Sequence, residues 1–202
     1  MMCTRRCLTV SLVKDIVIGQ YYEKVCFMQR LKIVFSGPMG AGKTQAIASL
    51  SDIPVVSTEV KNTDLHTHSK ALTTVGMDYG ELTLDGGVSI GLYGTPGQER
   101  FNFIWPILAQ GALGVIILID HSAEDPIADL SNYLATFSKI YNGRLVIGVS
   151  QVDKMPERDF AIYRDWLAAQ QKNLPIFPVD MRQRDDVLLL VDTIIASLEL
   201  ES

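Results

Sequence analysis

The stretch Leu31-Lys-Ile-Val-Phe-Ser-Gly-Pro-Met-Gly-Ala-Gly-Lys-Thr44 decides how the rest of the chain is read. Its first part, Leu31 to Phe35, is a short apolar run with β-branched residues and reads as a buried strand. Gly37, four further residues and then Gly42-Lys43-Thr44 give the spacing of a phosphate-binding loop. The glycines let the backbone turn tightly, so that successive N–H groups point at phosphate oxygens. In this reading Gly37, Pro38, Met39, Gly40, Ala41 and Gly42 wrap the phosphates, Lys43 reaches the β- and γ-phosphates, and the Thr44 hydroxyl ligates Mg²⁺. A helix starting near Lys43 adds its positive N-terminal end to the same anion site. A glycine-rich turn that binds nothing would carry the same letters. The setting, between a strand and an amphipathic segment through Ala46, Ile47 and Leu50, selects the phosphate loop. The expected ligand is a nucleoside phosphate.

The bulk composition agrees with one α/β domain: 202 residues, 48% hydrophobic, enough for a full core. A formal charge of −5 argues against a general binder of nucleic acid or anionic membranes. No apolar run approaches the ~18 residues of a membrane span. Cys3, Cys7 and Cys26 all precede the phosphate loop, and an odd number with none in the core points to a reducing cytoplasm. Cys3 and Cys7 lack a second ligand pair and read as loose thiols.

Residues 1–27 read as an N-terminal extension, and the nucleotide-binding domain is expected over 28–202. Arg5 and Arg6 before Cys7–Val13 imitate the start of a secretory leader, but Lys14 and Asp15 interrupt it. The extension is an appendage, a misplaced start, or an extra element from Lys14 to Phe27 on the sheet edge. No lipid-anchor signal is expected, since no Gly follows the first Met and the C-terminal end carries no Cys.

Downstream, the polar stretch Ser57 to Thr73 reads as a functional or mobile loop of about 17 residues. Its His66 and His68 lack a third metal ligand and read as solvated. Asp78–Leu84 and Val88–Tyr93 flank Asp85-Gly86-Gly87 as an antiparallel hairpin. A turn over Gly94–Phe101 leads into a helix that Pro106 is expected to kink. Gly114–Asp120 and Arg144–Val149 read as buried strands and Pro175–Val179 as a short one. Helices are expected over Pro126–Ile140, about Pro156–Gln171 and Asp185–Glu199. Alternating strands and helices imply a mainly parallel, six-stranded mixed sheet with one antiparallel edge hairpin and helices on both faces. Ligands of such sheets sit at the carboxyl ends of the strands, where the phosphate loop, Gly94–Gln98, Asp120 and Asp153 would gather.

At Thr74-Val75-Gly76-Met77-Asp78-Tyr79 and Gly94-Thr95-Pro96-Gly97-Gln98-Glu99-Arg100-Phe101, and on through Gly111–Asp120, the chain resembles Ras-superfamily small GTPases. The Pro after the first loop glycine and the Thr-Pro-Gly-Gln string are similar to the bacterial gliding-polarity and roadblock-associated members. The resemblance implies a P-loop NTPase of Ras-like fold that binds GTP or GDP with Mg²⁺. It implies that Thr74 ligates Mg²⁺ and senses the γ-phosphate, that Gly97 bonds the γ-phosphate, and that Gln98 orients the attacking water. Asp153, within Ser150-Gln151-Val152-Asp153, falls where a guanine-reading carboxylate sits, and Asp180-Met181 falls at the last base-contacting loop. It further implies a roadblock-type regulatory protein as partner.

Three positions depart from the pattern. Gly94 replaces the second-switch Asp, an outer-shell Mg²⁺ carboxylate. Ser150 and Gln151 replace Asn and Lys, removing an amide brace and a stacking alkyl-ammonium chain. Met39 stands beside the γ-phosphate where Ras proteins have Gly.

Each site residue has a plainer role available: Thr74 as a strand-entry residue, Gln98 as an exposed helix start, Asp153 as a helix cap. Phe101, Phe103 and Trp105 mark either a partner surface or packing under the helix. The primary expectation is a slow GTPase switch with two switch-loop conformations. The alternatives are a nucleotide-bound scaffold without turnover and an ATPase that uses Asp120 as its Mg²⁺-supporting carboxylate.

Overall fold

Alternation along two central strands sets the layers. In β5 (Gly114–Asp120), Val115, Ile117 and Ile119 face one side and Ile116 and Leu118 the other, and all five are buried. β1 (Leu31–Ser36) repeats the pattern, with Ile33 and Phe35 joining Ile116 and Leu118 while Val34 joins the opposite set. Strands covered on both faces need no polar side, so each reads as a continuous apolar run. Each such side chain contributes about 1.5–3 kcal/mol on burial, which makes this pair the centre of the core.

The computed structural model describes residues 31–62, 73–84 and 86–199. Besides β1 and β5 it contains β2 (Val56–Asn62), β3 (Thr73–Thr83), β4 (Ser89–Gly94), β6 (Arg144–Ser150) and β7 (Ile176–Pro178). They form a seven-stranded sheet in the order β2-β3-β4-β1-β5-β6-β7. β1 pairs in parallel with β4 and β5, and β6 and β7 continue the parallel side. β3 runs antiparallel to both β2 and β4. Helices α1 (Lys43–Leu50) and α5 (Arg184–Glu199) cover one face; α2 (Trp105–Ala109), α3 (Pro126–Ile140) and α4 (Ala161–Ala169) cover the other. This is the mixed α/β P-loop architecture expected from the sequence.

The sheet has seven strands rather than six. Residues Ser57–Asn62 of the stretch read as a loop join Val56 to form β2, paired with β3 from Val56↔Tyr79 to Asn62↔Thr73. Their sequence does place β-branched residues at 56, 58 and 60, the alternation of an edge strand. An edge strand needs little apolar character, so polar content concealed it. His66, His68, the three cysteines and the 1–27 extension lie outside the described residues.

Pro106 does not kink a helix. A 3₁₀ turn spans Glu99–Ile104, and Pro106 then occupies the first turn of α2, where its missing N–H costs no hydrogen bond. α3 begins as its letters prescribe, with the Asp125 carboxylate accepting from Ala128 N at 2.9 Å and Pro126 next to it. Beyond β5, buried His121 lies 2.8 Å from the Tyr163 hydroxyl through Nδ1 and 3.0 Å from the Arg158 carbonyl through Nε2. It ties α4 to the carboxyl end of the sheet.

Candidate functional site: a phosphate loop and an adjoining cleft

Between β1 and α1 the chain turns through Gly37, Gly40 and Gly42, with φ of 147°, 88° and 94°. These left-handed angles are what a side chain would resist. Space forbids one too: a Cβ on Gly37 would stand 2.1 Å from the Leu118 carbonyl oxygen, and one on Gly42 2.8 Å from Met181 Cγ. The loop is therefore seated between β5 and the loop after β7. α1 carries no acidic residue in its first turn, so its positive end is left for an anion.

Lys43 is only 9% exposed, and its Nζ donates to the Gly37 and Pro38 carbonyls at 2.8 and 2.7 Å. Burial brings its pKa down to about 8, against the opposing pull of Asp78. The Thr44 hydroxyl donates to Asp78 Oδ2, and the Ser57 hydroxyl donates to Asp78 Oδ1 at 2.7 Å. Asp78 is the Cα partner of Gly94 across β3 and β4. A Cβ on Gly94 would lie 3.1 Å from Asp78 Cβ and 3.0 Å from Ile47 Cδ1.

Asp78 is the residue that sequence reasoning missed. Its letter stood in view, but only the hairpin register shows that it fills the ground beside the glycine that replaces the expected acid. Thr44 and Asp78 offer hard oxygen donors of the kind Mg²⁺ takes. Among the described residues no group of three or more His, Cys, Asp or Glu could hold a metal. Thr74 belongs to β3, opposite Lys61. At about 3.3 Å per residue it stands roughly 13 Å along the strand from Asp78, so this arrangement does not bring it to Thr44.

The Gly94–Gln98 segment lies on the phosphate loop. Thr95 N donates to the Phe35 carbonyl at 2.9 Å, and the buried Thr95 and Ser36 hydroxyls share a 2.9 Å bond. A Cβ on Gly97 would be 2.7 Å from Met39 N and 2.8 Å from Lys43 Nζ. From the far side Tyr133 donates to the Gly97 carbonyl at 3.3 Å and Trp105 Nε1 to the Pro96 carbonyl at 3.4 Å. Gln98 is exposed at the start of the 3₁₀ turn. Phe101 and Trp105 are buried, the latter stacked on Tyr133 and on Phe137, while Phe103 is 55% exposed. Of the three aromatics, two pack and one faces outward. Met39 is 75% exposed.

Beside the loop opens a cleft of about 520 Å³, lined among others by Gln45, Ser150, Gln151, Asp153, Asp180 and Met181. Buried Ser150 donates through Oγ to the Ala41 carbonyl at 3.1 Å or the Ile119 carbonyl at 3.2 Å. Gln151, with a left-handed φ of 58°, donates through Nε2 to Asp120 Oδ2 at 2.6 Å and to the Gly40 carbonyl at 3.3 Å. Both replacing side chains thus bond to phosphate-loop carbonyls, so a brace stands where the letters had lost an amide one at Ser150; the stacking chain lost at Gln151 is not returned by its amide. Asp153 is exposed on the cleft wall. Arg182 forks onto Asp180 with two 2.8 Å bonds and holds its carboxyl down at about 2, while Asp180 N donates to Asp186 Oδ2 at 2.9 Å. Asp120 is occupied on both oxygens, Oδ1 accepting from Ser122 N and Oγ.

The chain is 30% identical over 107 residues to Ras-related protein Rab-18-B of Danio rerio, covering 52% of this chain and 46% of that protein. It is 23% identical over 181 residues to Ras-related protein Rab-27A of Sus scrofa, covering 82% and 76%. With Ras-related protein SEC4 of Saccharomyces cerevisiae it shares 22% over 173 residues, covering 84% and 73%. The chain spans about half the length of Rab-18-B. Residues 54–175, well over half of the chain, match the P-loop family described as conserved hypothetical ATP binding protein, and the chain belongs to that family.

Proposed function

We propose that this protein binds a guanine nucleotide with Mg²⁺ and hydrolyses GTP slowly, alternating between two arrangements of its switch segments. The observation that carries the reading is the convergence of Lys43, the Thr44–Asp78 pair and Gly97 on one glycine loop. Lys43 would bind the terminal phosphates; Thr44 and Asp78 would hold the metal. When bound, Mg²⁺ neutralises charge on the phosphate oxygens. The Gly97 N–H would meet the γ-phosphate and Gln98 would orient the attacking water. Gly97 rests against Met39 N and Lys43 Nζ, so a third phosphate would displace it, and Thr74 would leave β3 in the same change. A roadblock-type regulatory protein is the proposed activator, and the cytoplasm the proposed compartment.

Guanine is favoured by Asp153, a carboxylate on the cleft wall able to accept N–H bonds that adenine does not offer. The family description favours adenine, and in that reading Asp120 would be the supporting acid. Asp120, however, is engaged by Ser122 and Gln151, whereas Asp78 stands at Thr44. Calorimetry with GDP, GTP and ATP in magnesium decides between them. The expectation is tighter binding of the guanine nucleotides by at least about tenfold. A preference for ATP overturns the role of Asp153, and no heat with any of them overturns the whole proposal.

A further inference from the structure

We propose that Lys154, held in place by Gln151, is the residue that lies against the purine face in the cleft. The inference rests on the nucleotide-binding reading above and adds a residue to it. Gln151 itself cannot supply a stacking cation: it carries no charge, and its carboxamide is turned toward the phosphate loop.

The orientation of that amide is chemically forced. Asp120 Oδ2, at 2.6 Å, and the Gly40 carbonyl, at 3.3 Å, are both acceptors, so the nitrogen must face them. The amide oxygen then points away from the loop, where only a donor can meet it. Lys154 Nζ does so, donating to Gln151 Oε1. A chain of bonds thus runs from Ser122 through Asp120 and Gln151 to Lys154, with a branch to Gly40.

Its geometric effect is to fold an exposed lysine back across the short 3₁₀ turn Val152–Lys154, so that it lines the same cleft as Asp153. A free lysine would have many rotamers to lose on meeting a ligand; this one is held beforehand. Its methylene stem offers apolar surface to an aromatic ring, and an ammonium over a ring face is attracted to it. The Gly40 branch couples that wall to the phosphate loop, so Gln151 is a positioning residue and Lys154 the contact.

A face contact does not depend on the exocyclic groups of the base. Lys154→Ala is therefore expected to weaken GDP and inosine diphosphate by the same factor, about five- to tenfold. In a Gln151→Leu background the same change is expected to cost less than about twofold, because the lysine is no longer held. Lys154 is exposed, so its removal leaves the fold intact, and the melting temperature of ligand-free Lys154→Ala is expected to match the parent. Affinity unchanged in Lys154→Ala, an altered ratio of the two nucleotides, or an equal loss in both backgrounds each overturns the inference while leaving guanine binding by the parent intact. Failure of the parent protein to bind GDP overturns the underlying reading instead, and this inference falls with it.

Discussion

Asp78 and Gly94 stand opposite each other across β3 and β4, with Asp78 Cβ 3.1 Å and its Oδ2 3.4 Å from the position a Cβ on Gly94 would take. In the proposed reading one strand lends the acid that its neighbour lacks. Asp78→Ala is expected to lower magnesium-dependent nucleotide affinity about tenfold or more, as loss of a metal's supporting carboxylate does. Gly94→Asp alone would set two carboxylates together and is expected to weaken binding too. The double variant Asp78→Ala/Gly94→Asp removes the like-charge neighbour and returns one acid, so it should recover part of the loss. Affinities measured with magnesium and with chelator test this, and a double variant no better than either single one would refute the exchange.

Lys43 gives a pH signature in the ligand-free protein. Its folded pKa of about 8 lies below the ordinary 10.5, so between these values the unfolded chain binds the extra proton. Stability therefore rises as pH passes from about 8 to 10.5, and the burial penalty is fully present below 8. At about 1.4 kcal/mol per unit the gain is on the order of 3 kcal/mol. Lys43→Met should flatten this part of the profile while abolishing triphosphate binding. Denaturant unfolding at several pH values, compared between the two proteins, provides the check.

Gln98 is exposed and its backbone carbonyl accepts from Phe101 N, so changing its side chain should leave the fold and the phosphate loop alone. Gln98→Leu is expected to bind GTP within about twofold of the parent and to slow single-turnover hydrolysis at least tenfold. An unchanged rate would remove Gln98 from the chemistry.

Trp105 offers an optical report on the same segment. It is 3% exposed, stacked on Tyr133 and Phe137, and donates to the Pro96 carbonyl. In a Trp166→Phe background its emission should shift when GTP replaces GDP, because the proposed displacement of Gly97 would carry the neighbouring Pro96 carbonyl with it. Trp105→Ala should cost about 3–5 kcal/mol in stability, as large-to-small changes of buried aromatics do.

Much of this was legible in the letters. Unbroken apolar runs such as Gly114–Asp120 announce doubly covered strands, and the Gly37–Thr44 spacing announces an anion loop, because in both cases local composition and tertiary role coincide. β2 was not legible, since an edge strand is stabilised by its neighbour's backbone rather than by its own burial. Asp78 was not legible as a partner of Thr44, because register between strands is not a local property. Ser150 and Gln151 looked like losses when compared letter for letter with the resembled motif. Their hydroxyl and amide act on carbonyls of residues 40 and 41, more than a hundred positions away.

The buried Ser150 hydroxyl sits at a junction, within reach of the Ala41 carbonyl in the phosphate loop and the Ile119 carbonyl near the end of β5. A shift of either recognition half is consequently felt by the other. With the phosphate loop and the cleft taking two parts of one ligand as proposed, the intact nucleotide should therefore bind more tightly than the product of the separate binding constants of pyrophosphate and nucleoside, a chelate advantage wired into the scaffold.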